Sequence, residues 1–593
     1  MNILKTPHLI RVILRGFRPY RRELSALVAL GFLGGVLEGI GINALIPFLG
    51  FILGDVPETS GLIMEAVRSL FELFQTDLSL RILFFLIGGL FILKAFVLLA
   101  FQVVSASITS EYERRERERL FGSMLGADWL FLSREKMGYL DKALTLDITG
   151  ATNLLRVVSM LILSLTNLCI YSIVAFSISS RITLIALIAG AIFFLTFKPI
   201  FRKTAKTARR FAEDNKRVGH FVNQIFLGIK SIKTRAVPAE LTKQANHLFE
   251  SLKHSRRRLY IFHGLGTIFA QPIVIIFLLA LFGIMYRQPG FTFSVFAVMV
   301  YLVHQIFSYI EGTLGKLQKV SELLPHLESS IASQKLAQEH VTTDHGTNTF
   351  LFEKEIRAEQ IEFSYPKNGA ALRGLSFSVK KGELLGIIGP SGSGKTTLIN
   401  LFLRLLTPTR GALLVDGVDS RTITREAWRQ NVGYVPQDLF LLNGTITENI
   451  RFFDPTVTAA DVARAIDLAQ ANEFVSRLPE QSEAQVGEQG INLSMGQRQR
   501  IVLARALAKH PEVLILDEAT SALDNASQEQ LKRVIESMKG STTTIIMVAH
   551  RLSTLSMADR ILAIVDGQIV EEGAPADLLR KPDSYFSRMA AIE

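Results

Sequence analysis

Long apolar runs are the feature that most restricts how this chain of 593 residues can fold. A run of about 20 apolar residues can cross the hydrocarbon core of a bilayer as a helix, because a helix satisfies its own backbone hydrogen bonds there. Six such runs occur, at about residues 24–53, 82–104, 157–178, 182–201, 261–285 and 293–313. The sequence therefore predicts an all-α polytopic membrane domain with six transmembrane helices, and the lipid bilayer as a partner.

The basic residues predict the orientation of these helices. Residues 1–23 contain six Lys or Arg and a single acid, the segment after the first run is acidic, and long charged segments follow the second and fourth runs. Because basic loops stay on the cytoplasmic side, we expect both termini there, in a bacterial inner (cytoplasmic) membrane. These loops explain the formal net charge of +11, so we expect no nucleic-acid partner.

The two long charged segments are predicted to be helical extensions of the spans. In the first, Glu111–Arg115 and Glu113–Arg117 have the i,i+4 spacing of favourable pairs on a solvated helix. The pattern breaks at residues 127–137, and the second extension covers residues 202–259. Helices of this kind project beyond the membrane into the cytoplasm.

A phosphate-binding loop lies in the C-terminal part of the chain. Residues 389–397 fit the pattern G-x-x-x-x-G-K-[ST], after a short apolar run typical of a buried strand and before a segment typical of a helix. Strand, glycine loop and helix place backbone N–H groups around an anion at the positive end of the helix dipole. Lys395 can then reach the β- and γ-phosphates, and the Thr396 hydroxyl can bind Mg²⁺.

A second apolar run, residues 513–516, is followed by two acids. Asp517 stands where a carboxylate can join the Mg²⁺ shell, through water. Glu518, one residue further, can face the γ-phosphate and polarise an attacking water as a general base. An apolar strand that ends in Asp-Glu is common in proteins. Because a P-loop lies upstream in this chain, the pattern here indicates the acidic residues of a nucleotide site.

Residues 493–497, Leu-Ser-Met-Gly-Gln, resemble the LSGGQ signature of ATP-binding-cassette (ABC) proteins. The other motifs of that family occur along the chain in the family's order. They are Tyr365 as the aromatic that stacks on adenine, Gln437 of the Q-loop, residues 521–524 of the D-loop, and the switch histidine His550. Each residue alone could be an ordinary core or surface residue, but the ordered set favours the family. The resemblance implies a six-span membrane domain fused to an α/β P-loop ATPase domain, as in exporter-type half-transporters.

The resemblance also implies a set of site residues for the cofactors ATP and Mg²⁺. Three are expected to be catalytic: Glu518, His550 and Gln437. The metal ligands would be Thr396, Gln437 and Asp517. ATP would be bound by Tyr365, Gly389, Ser391, Gly392, Ser393, Gly394, Lys395, Thr396, Thr397, Ser494, Gly496 and Gln497.

The expected domains are a transmembrane domain at residues 1–338, a polar linker at 339–352 and a nucleotide-binding domain at 353–593. In the family, the P-loop of one copy and the signature of another close on one ATP, so the expected partner is a second copy of the chain. Met495 departs from the pattern because it replaces a signature glycine and removes backbone freedom. This leaves a heterodimer with unequal sites as the alternative.

Charged residues inside the predicted spans give information about the substrate that is transported. Glu38 and Lys94 lie near the middle of the first two spans, where they would either pair or contact a charged substrate. Residues 37–48 resemble the first span of bacterial flippases for lipid-linked oligosaccharides. We therefore expect an ATP-driven exporter or flippase for an amphipathic lipid-linked or glycolipid substrate. A multidrug or peptide exporter is the alternative, and an ATP-gated channel or sensor is disfavoured because Glu518 and His550 are present.

Overall fold

The computed structural model describes residues 6–53, 80–134, 137–235, 237–286, 292–366, 369–518, 525–539, 542–549 and 555–591. The chain divides into two compact units. The first is built from Met1–Ala127 and Glu135–Val341, and the second from Asp128–Arg134 and Thr342–Glu593.

The first unit is helical. Its helices are α1 (Thr6–Gly16), α2 (Arg21–Asn43), α3 (Leu45–Leu53), α4 (Leu80–Leu125), α6 (Met137–Lys142), α7 (Ile148–Ile178), α8 (Ser180–Leu227), α9 (Ile229–Lys233), α10 (Pro238–Met285) and α11 (Phe293–Glu339). A π-helical turn, Ala143–Asp147, joins α6 to α7. Helix α5 (Trp129–Arg134) falls at the predicted break and belongs to the second unit, where Leu130 packs against the core.

Among the described residues, four helical stretches are long and apolar enough to cross a membrane: Arg18–Leu53, Leu80–Leu125, Leu140–Ile178 and Phe293–Glu339. The apolar parts of α8 and α10 are shorter, Ser180–Ile192 and Pro272–Gly283. The number of six crossings stays a prediction.

Four of the described helices are much longer than a bilayer requires. Helices α4, α8, α10 and α11 have 46, 48, 48 and 47 residues, which corresponds to about 70 Å each at 1.5 Å per residue. Both i,i+4 pairs predicted in the charged part of α4 form, with Arg115 Nε 2.5 Å from Glu111 Oε1 and Arg117 Nη2 2.7 Å from Glu113 Oε1.

Polar side chains join the helices of the first unit. Lys94 Nζ on α4 lies 2.5 Å from Glu38 Oε1 on α2, and Glu38 is only 4% exposed. Between α7 and α11, the hydroxyls of Ser164 and Thr313 are 2.9 Å apart, and Asn167 Nδ2 donates to a tyrosine hydroxyl, Tyr309 Oη, at 3.0 Å. The ion pair that the sequence offered as one alternative is therefore present and buried.

A buried carboxylate connects the start of α7 with the distal part of α11. Asp147 is 1% exposed and accepts hydrogen bonds from His326 Nδ1 at 2.9 Å, Ser329 Oγ at 2.6 Å and Lys142 Nζ at 3.1 Å. A Cβ atom added at Gly150 would lie 2.4 Å from the His326 ring, so the glycine admits the imidazole. Pro325, which precedes His326, lies inside α11.

The strands of the second unit are β1 (Glu355–Tyr365), β2 (Gly369–Lys380), β3 (Leu384–Ile388), β4 (Arg410–Val415), β5 (Val418–Asp419), β6 (Val432–Val435), β7 (Val513–Asp517), β8 (Thr544–Val548), β9 (Arg560–Val565) and β10 (Gln568–Gly573). Among the described residues they form two sheets. A four-stranded antiparallel sheet has the order β2-β1-β4-β5, and a six-stranded sheet has the order β10-β9-β3-β8-β7-β6. In the described part of the second sheet, β9 and β10 pair in antiparallel fashion and the other neighbours pair in parallel.

Every residue of β3, β7 and β8 is buried, which is why these strands are apolar runs in the sequence except at Asp517 and Thr544, which stand at strand ends. The helices of this unit, besides α5, are α12 (Lys395–Phe402), α13 (Arg425–Asn431), α14 (Ile446–Arg451), α15 (Ala459–Leu468), α16 (Asn472–Val475), α17 (Met495–Leu507), α18 (Asn525–Met538), α19 (Pro575–Leu579) and α20 (Tyr585–Ala590). A helical unit followed by an α/β unit is the predicted fold class, which is confirmed.

The hydrogen bonds to Asp147, which we call the Asp147 network, predict that the protein loses stability when this carboxylate is removed. Replacing Asp147 with alanine leaves three donors without their shared acceptor, and we expect a loss of about 2 kcal/mol in the free energy of unfolding. The measurement is the thermal unfolding midpoint of the purified protein in detergent. Asp141→Ala, which changes an exposed carboxylate six residues earlier, is the control. Equal midpoints for the two variants would contradict a stabilising role of the network.

Candidate nucleotide-binding site

The predicted phosphate-binding loop has the backbone geometry that its sequence motif predicts. Strand β3 ends at Ile388 and α12 begins at Lys395, so the loop leads from a buried strand into a helix N-terminus. Gly389 and Gly394 have φ of +152° and +103°, which L side chains rarely adopt. A Cβ at Gly389 would lie 2.1 Å from the carbonyl oxygen of Ile564 on β9. The loop is therefore held against the sheet at a position where only glycine fits.

Lys395 lies within the loop. It is 6% exposed, and its Nζ donates to the carbonyl oxygens of Gly389 at 2.7 Å and Pro390 at 2.9 Å. Burial lowers the pKa of Lys395, while the nearby Glu518 and Asp517 carboxylates oppose that shift. The hydroxyl of Ser393 is also buried and has no hydrogen-bond partner among the described residues. The loop thus concentrates donors, and an oxyanion is the ligand that such donors fit.

Two predicted acids lie at the carboxyl end of β7, beside the loop. Burial raises the pKa of Asp517, and the neighbouring Glu518 carboxylate raises it further. Tyr434 Oη on the adjacent strand β6 donates to Asp517 Oδ2 at 3.4 Å. Gln437 Nε2 donates to Glu518 Oε2 at 2.7 Å. The structure therefore brings together the two acids and the glutamine, and it adds Tyr434, a contact that the sequence analysis missed.

The predicted adenine-stacking residue lies beside α12. Tyr365 Oη is 3.2 Å from Thr397 Oγ1, and its ring packs edge-on against Phe363 at 5.0 Å between ring centroids. Thr396, the next residue toward the loop, is exposed. Its hydroxyl is therefore accessible on the side of the helix N-terminus.

The signature residues form the beginning of α17. Ser494 caps the helix in a reciprocal arrangement with Gln497: Gln497 N donates to Ser494 Oγ at 3.3 Å, and Ser494 N donates to Gln497 Oε1 at 2.9 Å. Met495 occupies the first helical position, and its side chain is 42% exposed. Neither Met495 nor Gly496 has a positive φ, so this conformation does not need the freedom of a glycine at position 495.

Two of the predicted elements, the switch histidine His550 and residues 521–524 of the D-loop, lie outside the described residues. Among the described residues, no hydrogen bond or ion pair joins the signature residues 494–497 to the P-loop residues 389–397.

Comparison with known proteins gives matches to both units. The family described as "ABC transporter" matches residues 372–521, and the family described as "ABC transporter transmembrane region" matches residues 26–310. The solved structure of a bacterial Atm1-family ABC exporter with ATP bound is similar in fold, with a TM-score of 0.76 at 22% identity, over 97% of this chain and 99% of that chain.

Two relatives illustrate the range of similarity. A Staphylococcus aureus protein named as a multidrug export ATP-binding/permease protein is 32% identical over 435 residues, which is 70% of this chain and 73% of that protein. ATP-binding cassette sub-family B member 5 of Mus musculus is 27% identical over 601 residues, 95% of this chain. The chain spans 46% of the length of the mouse protein.

The contact at Gly389 predicts that alanine there abolishes ATP binding. The added Cβ would overlap the Ile564 carbonyl, so the loop must leave the sheet. The control is Gly417→Ala: Gly417 also has a positive φ, +85°, but nothing lies within 4 Å of an added Cβ, so we expect only about 1 kcal/mol of backbone strain. The measurement is equilibrium binding of a fluorescent ATP analogue. Unchanged affinity in Gly389→Ala would contradict the loop assignment.

Proposed function

This chain belongs to the ABC transporters, and we propose that two copies of it act together as an exporter of an amphipathic substrate. Membership follows from the two matching family regions fused in one chain and from the S. aureus relative. A transmembrane region joined to an ATP-binding domain makes the protein an ATP-hydrolysing membrane transporter. The roles of individual residues, the partner and the substrate are the content of the proposal.

The proposed ATP site is the P-loop of one copy. The backbone N–H groups of residues 389–397 surround the phosphates, Lys395 exchanges its carbonyl acceptors for phosphate oxygens, and Tyr365 stacks on the adenine. The support is the concentration of buried donors in the loop, including the Ser393 hydroxyl that has no partner among the described residues.

The donor set beside the loop fits Mg²⁺. Thr396, Gln437 and Asp517 offer a hydroxyl, an amide and a carboxylate oxygen, which are the hard ligands that Mg²⁺ prefers. The nitrogen of the Gln437 amide is already used on Glu518, which leaves its oxygen for the metal. Mg²⁺, when bound, would neutralise charge on the phosphates during transfer.

Glu518 is the proposed general base, with Gln437 and His550 as the other catalytic residues. A carboxylate held by the Gln437 amide, at the end of a rigid buried strand, is oriented to accept a proton from water. This hydrogen bond is the observation that carries the catalytic assignment, because it joins two residues predicted from separate motifs.

A second copy of the chain is the proposed partner. Each chain carries one P-loop and one signature, so an isologous dimer completes two equal sites. Ser494, Gly496 and Gln497 of one copy would then face the γ-phosphate bound to the other. The exposure of the α17 N-terminus and its intact cap support this arrangement with methionine at position 495. A heterodimer with unequal sites is the alternative.

The proposed substrate is a lipid-linked oligosaccharide or another glycolipid, moved across a bacterial cytoplasmic membrane with both termini on the cytoplasmic side. The resemblance of residues 37–48 to the first span of such flippases supports the substrate, and the basic segments of the sequence support the orientation through the positive-inside rule. An amphipathic drug is the second candidate, and the name of the S. aureus relative favours it.

The first experiment measures ATPase activity of the single purified chain in lipid vesicles, with glycolipids, lipids and drugs added in turn. We expect activity from the chain alone, and a loss of at least about 100-fold in Glu518→Gln, which keeps the shape of the side chain but removes the base. ATP binding should persist in that variant. Turnover of Glu518→Gln at the parent rate would refute the assignment of the base, and no turnover by the parent would favour the heterodimer.

The buried ion pair allows its structural and substrate-binding roles to be separated. Lys94→Met leaves the Glu38 carboxylate buried without its cationic partner, and we expect a loss of about 3 kcal/mol in stability. The double variant Glu38→Gln/Lys94→Met removes both charges and should recover most of that loss and keep transport. Unfolding midpoints and vesicle transport are measured together. A stable double variant that fails to transport would assign the pair to the substrate path.

A further inference from the structure

Five arginines cluster where the chain enters the first span. Arg11 and Arg15 lie on α1, Arg18 follows it, and Arg21 and Arg22 form the first turn of α2. All five are exposed, and none forms an ion pair with another described residue. We call these residues the arginine cluster.

Aromatic packing fixes the position of the arginine cluster. Phe17 and Tyr20 are 1% and 6% exposed and pack edge-on against Tyr112 of α4, with ring centroids 5.3 and 5.9 Å apart. Tyr112 lies eight residues, or about 12 Å, beyond the predicted end of the second span at residue 104. Arg21 and Arg22 directly precede the predicted first span, which begins at residue 24. The aromatic contacts with Tyr112 therefore hold the cluster just outside the hydrocarbon, in the head-group layer and the water beside it.

The neighbouring acids are already neutralised. On α4, Glu111 pairs with Arg114 and Arg115, Glu113 with Arg117, Glu116 with Arg119, and Glu118 with Arg114. The single acid within the cluster is Glu23, which is exposed. Five positive charges thus lie at the membrane surface without a counter-ion from the described part of the chain.

An apolar surface accompanies these charges. Leu14, between Arg11 and Arg15 on α1, is 55% exposed, while Val12 and Ile13 pack partly against the core of the first unit. A short helix that combines exposed leucine and arginine suits the boundary between acyl chains and head groups.

We propose that the arginine cluster binds anionic phospholipid head groups of the bilayer. Clusters of four to eight basic residues at the cytoplasmic end of a span attract anionic lipid, with a factor of about five in binding for each basic residue near the surface. Guanidinium groups also bind phosphates in a bidentate manner. The proposal depends on the membrane location of the chain and not on the proposed substrate.

The test uses the full-length protein in vesicles of phosphatidylcholine mixed with phosphatidylglycerol, without ATP. After mild extraction, native mass spectrometry counts each lipid that remains bound. We expect phosphatidylglycerol to be enriched over its share in the vesicle, and the enrichment to fall with salt. Changing all five arginines to glutamine should reduce it by at least about fivefold.

A control variant removes the same charge elsewhere. It changes to glutamine five exposed basic residues of the second unit: Arg373, Lys380, Arg429, Arg580 and Lys581. We expect this variant to retain the enrichment, and a variant with the cluster changed to lysine to retain most of it. If phosphatidylglycerol is not enriched on the unchanged protein, that result alone would overturn the proposal. An equal loss in the control would also overturn it, because net charge alone would then explain the binding.

Discussion

The absence of water from a bilayer is the constraint on which the structure depends. A chain that crosses hydrocarbon must pair its backbone groups within itself, and polar side chains there need partners on neighbouring helices. The first unit meets both requirements with continuous helices and with contacts such as Glu38–Lys94 and Asn167–Tyr309. The same helices then continue beyond the apolar part, where i,i+4 pairs replace lipid contacts as the source of support.

The sequence predicted those features of the fold that are encoded locally. Apolar length and the strand–glycine–helix order of the P-loop each depend on neighbouring residues, and the fold class derived from them is confirmed. Two separate motifs predicted Gln437 and Glu518 as site residues. Their contact, however, depends on the parallel pairing of β6 and β7, which brings the ends of the two strands together. The roles of the individual site residues remain predictions.

Other features depend on residues far apart in the sequence and could not be predicted. Asp147 and His326 are 179 positions apart, and no periodic pattern connects them. The need for glycine at position 389 comes from the Ile564 carbonyl on a distant strand. Conversely, Met495 looked costly because a signature glycine suggests backbone freedom, yet it occupies an ordinary helical position after an intact cap. A local pattern shows which residue type is usual, and the backbone conformation shows whether it is required.

The Asp147 network has a mechanical consequence because of its neighbour Pro325. Proline has no N–H, so the carbonyl four residues earlier, at Ser321, loses its helical hydrogen bond and α11 is easiest to bend there. His326 and Ser329, immediately beyond that point, are held by Asp147 at the start of α7. Any bend of α11 at Pro325 must therefore either carry the start of α7 with it or break hydrogen bonds to a buried carboxylate. The two helices are joined at the position of least stiffness, so that a displacement of one is transmitted to the other.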